Sequence, residues 1–295
     1  MSRALFDTRH VRHAFSRAAS SYNAAATLQH AVEAHLLDSL DYLGERTPQV
    51  VLDVGSGTGR AATAMQKRWP KARVLALDLA MPMLRQTQKQ RWRPLQRTVH
   101  GLCGDARRLP LADSCIDVLF SNLCLQWVDD LPAVFAGFRR VLRPGGLLLV
   151  STFGPRTLHE LRDAFSSADD LPHVSPFAGI AQFGDALMAS GFRDPVLDRD
   201  ITTTRYPDLP ALMRELRAIG ATNALQSRRH TLTGKMRFAR AQQTYSSQCG
   251  DGDGLPATWE TITAMAWSPA AGAPIREDGM EIARFPASDI PIRRR

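Results

Sequence analysis

The sequence has no hydrophobic run long enough to cross a membrane. Its longest apolar stretches, such as residues 146–150, are far shorter than the roughly 20 residues that a transmembrane helix needs. We therefore expect no membrane-spanning segment. The four cysteines form no C-x-x-C pair and have no companion histidine at the spacing of a zinc site. They are typical of reduced thiols, and we predict a cytoplasmic protein that holds no metal ion.

Features of nucleic-acid-binding proteins are also missing, although the net charge is +8. No basic stretch alternates with aromatic residues, and no Asn-Pro-Pro-Tyr type motif for reading bases occurs, so we expect no nucleic-acid substrate. Residues 205–240 concentrate the charge, because eight basic residues against Asp208 and Glu215 give this segment +6. The eight are Arg205, Arg214, Arg217, Arg228, Arg229, Lys235, Arg237 and Arg240. Such a cluster indicates either a docking face for an acidic partner or a solvated helix surface.

The hydrophobic pattern predicts an α/β fold. Before residue 45, apolar residues recur at helical spacing and predict two helices. From residue 50 onward, short apolar runs alternate with helical stretches, which is typical of βαβ units in a parallel sheet. Five strands are predicted at 50–54, 73–78, 98–103, 116–121 and 147–152, and two more at 196–206 and 258–267. We therefore predict a Rossmann-like, seven-stranded, mostly parallel sheet flanked by helices, with N-terminal helices and a helical cap insertion. A helix over residues 131–142 is expected to stop at Pro144-Gly145-Gly146.

The strongest local signal is a glycine-rich turn between a strand and a helix. It reads Val51-Leu52-Asp53-Val54-Gly55-Ser56-Gly57-Thr58-Gly59. Glycines allow positive φ angles and let the backbone approach a ligand closely. A dinucleotide-binding turn would need a further glycine where Arg60 stands, so the pattern disfavours NAD and suits a smaller nucleoside ligand.

Polar side chains are placed at the carboxyl ends of the predicted strands. Asp78 ends the second strand, where its carboxylate can accept hydrogen bonds from both hydroxyls of a ribose. Asp105 follows the third strand and could accept from an adenine amino group. Each acidic residue alone could cap a helix, but Asp53, Asp78 and Asp105 together predict a nucleoside site. Asn122 lies at the end of the fourth strand, on the expected pocket floor.

Taken together, these motifs and Arg143-Pro144-Gly145-Gly146 resemble a class I S-adenosylmethionine-dependent methyltransferase over roughly residues 45–152. The flanks narrow the resemblance to the malonyl-acyl carrier protein O-methyltransferase (BioC) family of biotin synthesis. The flanking segments that carry it are residues 14–22, 153–161, 172–174, 216–223, 232–234 and 255–260. The family often has Tyr where this sequence has Trp259.

The resemblance implies a division of the chain and a set of site residues. Residues 1–44 would close over the cofactor, 45–152 would bind S-adenosylmethionine, and 153–267 would complete the sheet and cap the substrate. Residues 268–295 lie outside the resemblance, and their richness in Pro, Ala and Gly predicts a weakly structured tail. The implied cofactor-binding residues are Asp53, Gly55, Gly57, Gly59, Asp78, Leu79, Asp105, Ala106 and Asn122. Tyr22 would close over the cofactor, and Arg156 would bind the acceptor carboxylate through a bidentate fork.

The implied reaction needs no general base, because a malonyl carboxylate is already ionised at neutral pH. The absence of a Ser-His-Asp or Cys-His arrangement agrees with this. The partner would be acidic malonyl-acyl carrier protein docked on residues 205–240, and a monomer is the working expectation. Two alternatives stay open: another class I methyltransferase acting on a quinone or small acid, and an arginine-modifying enzyme similar to a complex I assembly factor.

Overall fold

The computed structural model of the protein describes residues 4–89, 98–231, 233–250, 252–270, 275–277 and 280–282. Within these residues, no helix combines the length and the apolar character needed to span a bilayer.

One seven-stranded sheet, ordered β3-β2-β1-β4-β5-β7-β6, forms the centre of the fold. Its strands are β1 (Val50–Val54), β2 (Arg73–Asp78), β3 (His100–Cys103), β4 (Ile116–Ser121), β5 (Leu142–Phe153), β6 (Arg193–Tyr206) and β7 (Leu255–Trp267). Strands β1 to β5 pair in parallel, whereas β7 lies antiparallel between β5 and β6. The predicted seven-stranded, mostly parallel sheet is confirmed.

Helices cover both faces of this sheet. They are α1 (Thr8–Ala18), α2 (Tyr22–Ala25), α3 (Thr27–Asp38), α4 (Arg60–Arg68), α5 (Met81–Lys89), α6 (Leu131–Val141), α7 (His159–Ser166), α8 (Ile180–Ala189), α9 (Leu209–Ala218) and α10 (Lys235–Cys249). Leu52 of β1 shares a buried cluster with Phe135 of α6, while its neighbour Val51 packs with Met65 of α4 on the opposite face. A strand buried on both sides is typical of a parallel sheet between helical layers.

The prediction of two N-terminal helices is wrong. Helices α1, α2 and α3 and a 3-10 helix at Ser39–Leu43 precede β1. The chain leaves α1 after Ala18, and the Ser21 hydroxyl donates a hydrogen bond to the Ala218 carbonyl of α9 at 2.8 Å. The helix break is thus accompanied by a tertiary contact, which local periodicity does not report.

The helix predicted over residues 131–142 ends one residue earlier, at Val141. Pro144-Gly145-Gly146 follows the helix but lies inside β5, which the sequence did not predict. Leu142 already pairs with Ile116 of β4, and the Gly145 N–H, at φ +71°, donates to the Ser268 carbonyl at 3.0 Å. Because these residues pair with neighbouring strands, Pro144-Gly145-Gly146 lies near the start of β5 rather than in a loop.

A helical cap lies over the carboxyl end of β5. Helices α7, α9 and α10 form a buried cluster with Phe153 and Trp259. The N-terminal segment is fastened to this cap, since Phe6 forms a β-bridge with Leu225 and an ion pair of 3.1 Å joins Asp7 to Arg228. The N-terminal helices and the cap thus close over the same edge of the sheet.

Two short strands lie within residues 268–295, the segment predicted to be a weakly structured tail. Strands β8 (Ile275–Glu277) and β9 (Met280–Ile282) form an antiparallel pair in the register Ile275 to Ile282. Backbone hydrogen bonds join the two strands, and the composition of the segment does not predict this pairing. The rest of the predicted tail beyond residue 270 lies outside the described residues.

Candidate active site

The glycine turn between β1 and α4 is the tightest part of the site. Gly55, Gly57 and Gly59 have φ angles of +71°, +53° and +78°. A Cβ atom at Gly55 would lie 2.5 Å from the Cys124 side chain, and one at Gly59 would lie 2.3 Å from Thr87. Two of these glycines are therefore required both by backbone conformation and by close packing.

Asp78 ties the end of β2 to this turn. Its carboxylate accepts hydrogen bonds from the backbone N–H of Gly57 at 2.8 Å and of Ala80 at 2.7 Å. Burial raises the pKa of Asp78 to about 6, although these two hydrogen bonds oppose the shift. The carboxylate is thus held rigidly at the point where the turn can approach a ligand.

The other two predicted carboxylates have opposite electrostatic environments. Asp53 is buried, and this burial, with the nearby carboxylate of Glu33, raises its pKa well above the usual range. For Asp105, burial also raises the pKa, but hydrogen bonds and charge from Arg107 outweigh it and hold the pKa below its ordinary value. Arg107 binds both Asp105 oxygens and also donates to Thr8 of α1 at 2.8 Å.

The loop after β4 is held in a strained conformation. Leu123 has φ +45°, which is uncommon for a residue with a branched side chain. The Ser151 hydroxyl accepts from the Leu123 N–H at 2.9 Å and donates to the Asn122 amide oxygen at 2.8 Å. The Asn122 amide nitrogen donates to the Gln29 carbonyl of α3 at 3.1 Å. Two strands and the N-terminal helices therefore fix Asn122 and Leu123 together.

Three cavities meet at this edge of the sheet. The inner cavity, of about 90 Å³, is lined by Thr8, Val11, Arg12, Phe15, Tyr22, Gly55, Gly57, Leu77, Asp78, Leu79, Met83, Gly104, Asp105, Ala106, Arg107, Asn122, Leu123, Cys124, Trp127 and Val128. The polar cavity, of about 20 Å³, is lined by Tyr22, Gln29, His30, Glu33, Asp53, Gly55, Ser56, Gly57, Thr58, Arg60, Ala61 and Asn122. The side cavity, of about 270 Å³, has mostly apolar walls from the N-terminal helices, the β4 loop and the cap.

Tyr22 lines all three cavities, so it stands at their junction. Nine of the eleven residues predicted from the sequence line the inner or polar cavity. Gly59 begins α4 without lining a cavity, and Arg156 is exposed and lies outside the lining of all three. The structure thus places nine of the predicted residues around two adjoining cavities, while the roles assigned to all eleven stay predictions.

Sequence reasoning missed the contribution of α3 to the polar cavity. Gln29 and Glu33 lie one helical turn apart and are buried on the same side as Val32 and Leu36. Glu33 forms an ion pair of 2.7 Å with Arg60, the residue that follows the glycine turn. Two polar residues at i, i+4 spacing on a buried helix face were the available signal.

The side cavity has a distinctive charge pattern. None of the described residues that line it is Asp or Glu, and Arg217 and His173 are those able to carry a positive charge. His173 stacks on Phe165 with ring centroids 4.0 Å apart and lies 3.1 Å from a carboxylate oxygen of Asp169. Arg229 binds the same carboxylate at 2.7 Å and 3.0 Å. The cavity is therefore suited to a ligand with an apolar body and a negative charge.

Comparison with known proteins identifies the family. Residues 52–150 match the methyltransferase domain family. The malonyl-[acyl-carrier protein] O-methyltransferase of Xylella fastidiosa (strain M23) is 60% identical over 293 residues, which cover 99% of this chain and 98% of that protein. The protein of the same name from Nitrosospira multiformis is 45% identical over 278 residues, 90% of each chain.

Solved structures agree on the fold alone, because their sequences are distant. The YcgJ protein from Bacillus subtilis superposes with a TM-score of 0.57 at 14% identity, over 80% of this chain and 99% of that one. The [4+2]-cyclase SpnF gives 0.52 at 21% identity, over 80% and 81%. Because a cyclase shares the fold, the assignment depends on the sequence relatives. The chain belongs to the malonyl-[acyl-carrier protein] O-methyltransferase family of S-adenosylmethionine-dependent enzymes.

Proposed function

We propose that the protein transfers the methyl group of S-adenosylmethionine to the free carboxylate of a malonyl thioester on acyl carrier protein, an early step of biotin synthesis. The observation that carries this proposal is the side cavity. It adjoins the inner cavity at Tyr22, and its charge-bearing wall residues are basic. Quinones and arginine side chains have no negative charge for these residues to bind, so neither is favoured as the acceptor. A small acid does have a negative charge, but the names of the sequence relatives favour the carrier-bound malonyl group instead.

The inner and polar cavities fit S-adenosylmethionine. We propose that Asp78 accepts hydrogen bonds from the ribose hydroxyls, beside a glycine turn that permits close backbone approach. The polar cavity suits the amino-acid end, because Asp53 offers a carboxylate and the Gln29 amide oxygen and Ser56 hydroxyl are buried without hydrogen-bond partners. When bound, S-adenosylmethionine supplies a methyl group on a positively charged sulfur.

The Tyr22 phenol and the Cys124 thiol are chemically inert at neutral pH, which agrees with an acceptor that needs no activation. Burial, together with the nearby carboxylate of Asp78, raises the pKa of the Tyr22 phenol. Burial likewise raises the pKa of Cys124 to about 12. Both groups stay protonated at neutral pH, so neither acts as a base or nucleophile. Tyr22 can instead donate a hydrogen bond, while the surrounding walls exclude water and align the reactants.

A carboxylate in the side cavity needs positive charge nearby. Arg217 and His173 line the cavity, whereas Arg156 does not line it and engages Glu260 and His159 through its backbone. Position therefore favours Arg217 over the sequence-based choice of Arg156 as the side chain that receives the acceptor carboxylate.

Ion pairs within the fold reduce the number of basic residues that are available to bind the carrier. Within residues 205–240, Arg228 pairs with Asp7 and Arg229 pairs with Asp169 inside the fold. The exposed basic residues on α9 and α10 are Arg214, Arg217, Lys235, Arg237 and Arg240. Arg217 joins this surface to the side cavity. We propose that the acidic carrier docks on α9 and α10.

The test is transfer of radiolabelled methyl from S-adenosylmethionine to purified malonyl-acyl carrier protein. Acetyl-acyl carrier protein is the matched control, since it lacks only the free carboxylate. Label on the malonyl form alone, recovered as a base-labile ester, is the expected result. Cofactor binding without label on either carrier would reject the acceptor assignment and leave the methyltransferase assignment intact. Quinones and small acids would then be the next acceptors to assay.

A further inference from the structure

The side cavity is surrounded by buried polar atoms that have no hydrogen-bond partner. In the described part of the chain, nine buried side-chain nitrogen or oxygen atoms are unpaired. Four of them belong to residues that line the side cavity: Gln29, Gln126, Trp127 and Trp259. Because buried polar groups are nearly always paired, such a concentration around one cavity indicates groups kept for a ligand.

Trp259 belongs to the side cavity alone. It lies on β7, is 3% exposed, and its ring packs against Phe153 with centroids 5.6 Å apart. It lines neither the inner nor the polar cavity. Its indole nitrogen is a hydrogen-bond donor only, so it can pair with an oxygen of a ligand but not with another N–H group.

Trp127 lies at the boundary between the side cavity and the inner cavity and lines both. Its ring is fixed by two edge-to-face contacts, with Phe6 at 5.9 Å and Phe15 at 5.6 Å between centroids. Both phenylalanines come from the N-terminal segment. The indole is therefore oriented only when this segment lies over the site.

We propose that the indole N–H groups of Trp127 and Trp259 bind the acyl oxygens of the acceptor, with Trp127 on the carboxylate and Trp259 on the thioester carbonyl. This inference rests on the proposed function. The assignment follows from position, since Trp127 lines the inner cavity and Trp259 lines neither cofactor cavity. Trp127 would bind the same carboxylate that Arg217 is proposed to receive, because both residues line the side cavity.

The unpaired oxygen of Gln126 complements these two donors. Gln126 already donates to the Leu123 carbonyl at 2.7 Å through its amide nitrogen, which leaves its oxygen as an acceptor. A cavity with both free donors and free acceptors fits a ligand with carbonyl oxygens and amide N–H groups. A malonyl group on an amide-containing thioester arm has both.

The experiment compares Trp259→Phe, Trp259→Tyr and Trp127→Phe with wild type in the labelled malonyl-carrier assay. Trp267→Phe is the matched control, since Trp267 lies on the same strand outside the cavity. We expect Trp259→Phe to raise KM for the malonyl carrier roughly tenfold with little change in kcat, because the bond persists in ground and transition states. Trp259→Tyr, which restores a donor, should recover most of the loss, and Trp267→Phe should match wild type.

A second readout separates a binding role from a structural one. Trp259→Phe removes no hydrogen bond of the fold, so its Kd for S-adenosylmethionine should match wild type. Its melting temperature should fall, because a smaller ring at a position only 3% exposed leaves a cavity. Because Trp127 also lines the inner cavity, its variant is judged by the ratio of acceptor KM to cofactor Kd. An unchanged acceptor KM in Trp259→Phe, or an equal loss in Trp259→Tyr, would overturn the inference while leaving the proposed function standing. A wild-type protein that does not label malonyl carrier would overturn both.

Discussion

The Asp78 carboxylate lies 2.8 Å from the backbone N–H of Gly57, so the end of β2 and the turn after β1 share one hydrogen bond. This contact couples the protonation of a buried acid to the shape of the glycine turn. A protonated Asp78 would lose part of its ability to accept, both from Gly57 and from a ribose hydroxyl.

Cofactor affinity should therefore depend on pH. The pKa of Asp78 is raised by burial to about 6, so the carboxylate becomes protonated as the pH falls through that value. Because the ionised form binds the hydroxyls, Kd for S-adenosylmethionine should be constant above pH 7 and rise below pH 6, by about tenfold per unit at the limit. Calorimetric titration from pH 5 to 8 measures this. Asp78→Asn should bind weakly with a flat profile, and a flat wild-type profile would contradict the prediction.

Alanine at Gly59 should destabilise the fold more than alanine at Gly145. Both residues have positive φ, but a Cβ at Gly59 meets Thr87 at 2.3 Å, whereas one at Gly145 meets nothing within 4 Å. Backbone strain costs about 1–2 kcal/mol at each position, and overpacking adds about 1–3 kcal/mol at Gly59. Urea unfolding of the two variants isolates the packing contribution. Equal losses would show that Thr87 moves aside freely.

Alanine substitutions at Arg217 and Arg156 test which of the two side chains binds the acceptor carboxylate. Arg217→Ala should raise KM about tenfold for both malonyl carrier and a small malonyl-pantetheine acceptor, since Arg217 lines the side cavity. Arg156→Ala should stay within about twofold of wild type, because the side chain is exposed away from the three cavities. Steady-state kinetics with both acceptors measure this. The reverse result would support the prediction made from the sequence.

Charge reversal on α10 tests the docking surface. Arg237→Glu should raise KM for malonyl carrier and reduce its salt dependence, yet leave KM for malonyl-pantetheine unchanged, because the small acceptor lacks the acidic carrier. Arg73→Glu is the matched control, since exposed Arg73 begins β2 at the opposite edge of the sheet. The effect is measured from kinetics between about 50 and 300 mM salt, because the Debye length decreases across this range. Equal effects of the two reversals would point to net charge rather than docking.

A physical reason separates the features that could be predicted from the sequence from those that could not. The strands that carry Asp53 and Asp78 could be predicted, because a buried parallel strand is a short apolar run and its carboxyl end is a fixed position in the topology. Asn122 followed from the same rule. The cap could not be predicted in this way. Arg156 does follow β5 as expected, but its backbone N–H binds Glu260 of β7 and its side chain is exposed.

Packing between distant parts of the chain also explains why the sequence did not single out Arg217. It is one of eight basic residues in a segment that looks uniform in the sequence, and only the packing of α9 against α1 and α2 separates it from Arg228 and Arg229. Ion-pair partners such as Asp7 are more than 200 positions away in the chain. Charge counts therefore identified the segment without identifying which residues are available to a partner.

The position of β7 between β5 and β6 has a consequence for how the protein is made. During synthesis β6 emerges before its sheet partner exists, and it must wait for β7, which is translated after the whole of α9 and α10. Until then the fourteen-residue β6 has an unpaired backbone and β5 is an open edge, the condition that favours intermolecular pairing. Ribosome stalling or truncation between residues 206 and 255 should therefore give aggregated chains, whereas release after β7 gives the complete seven-stranded sheet.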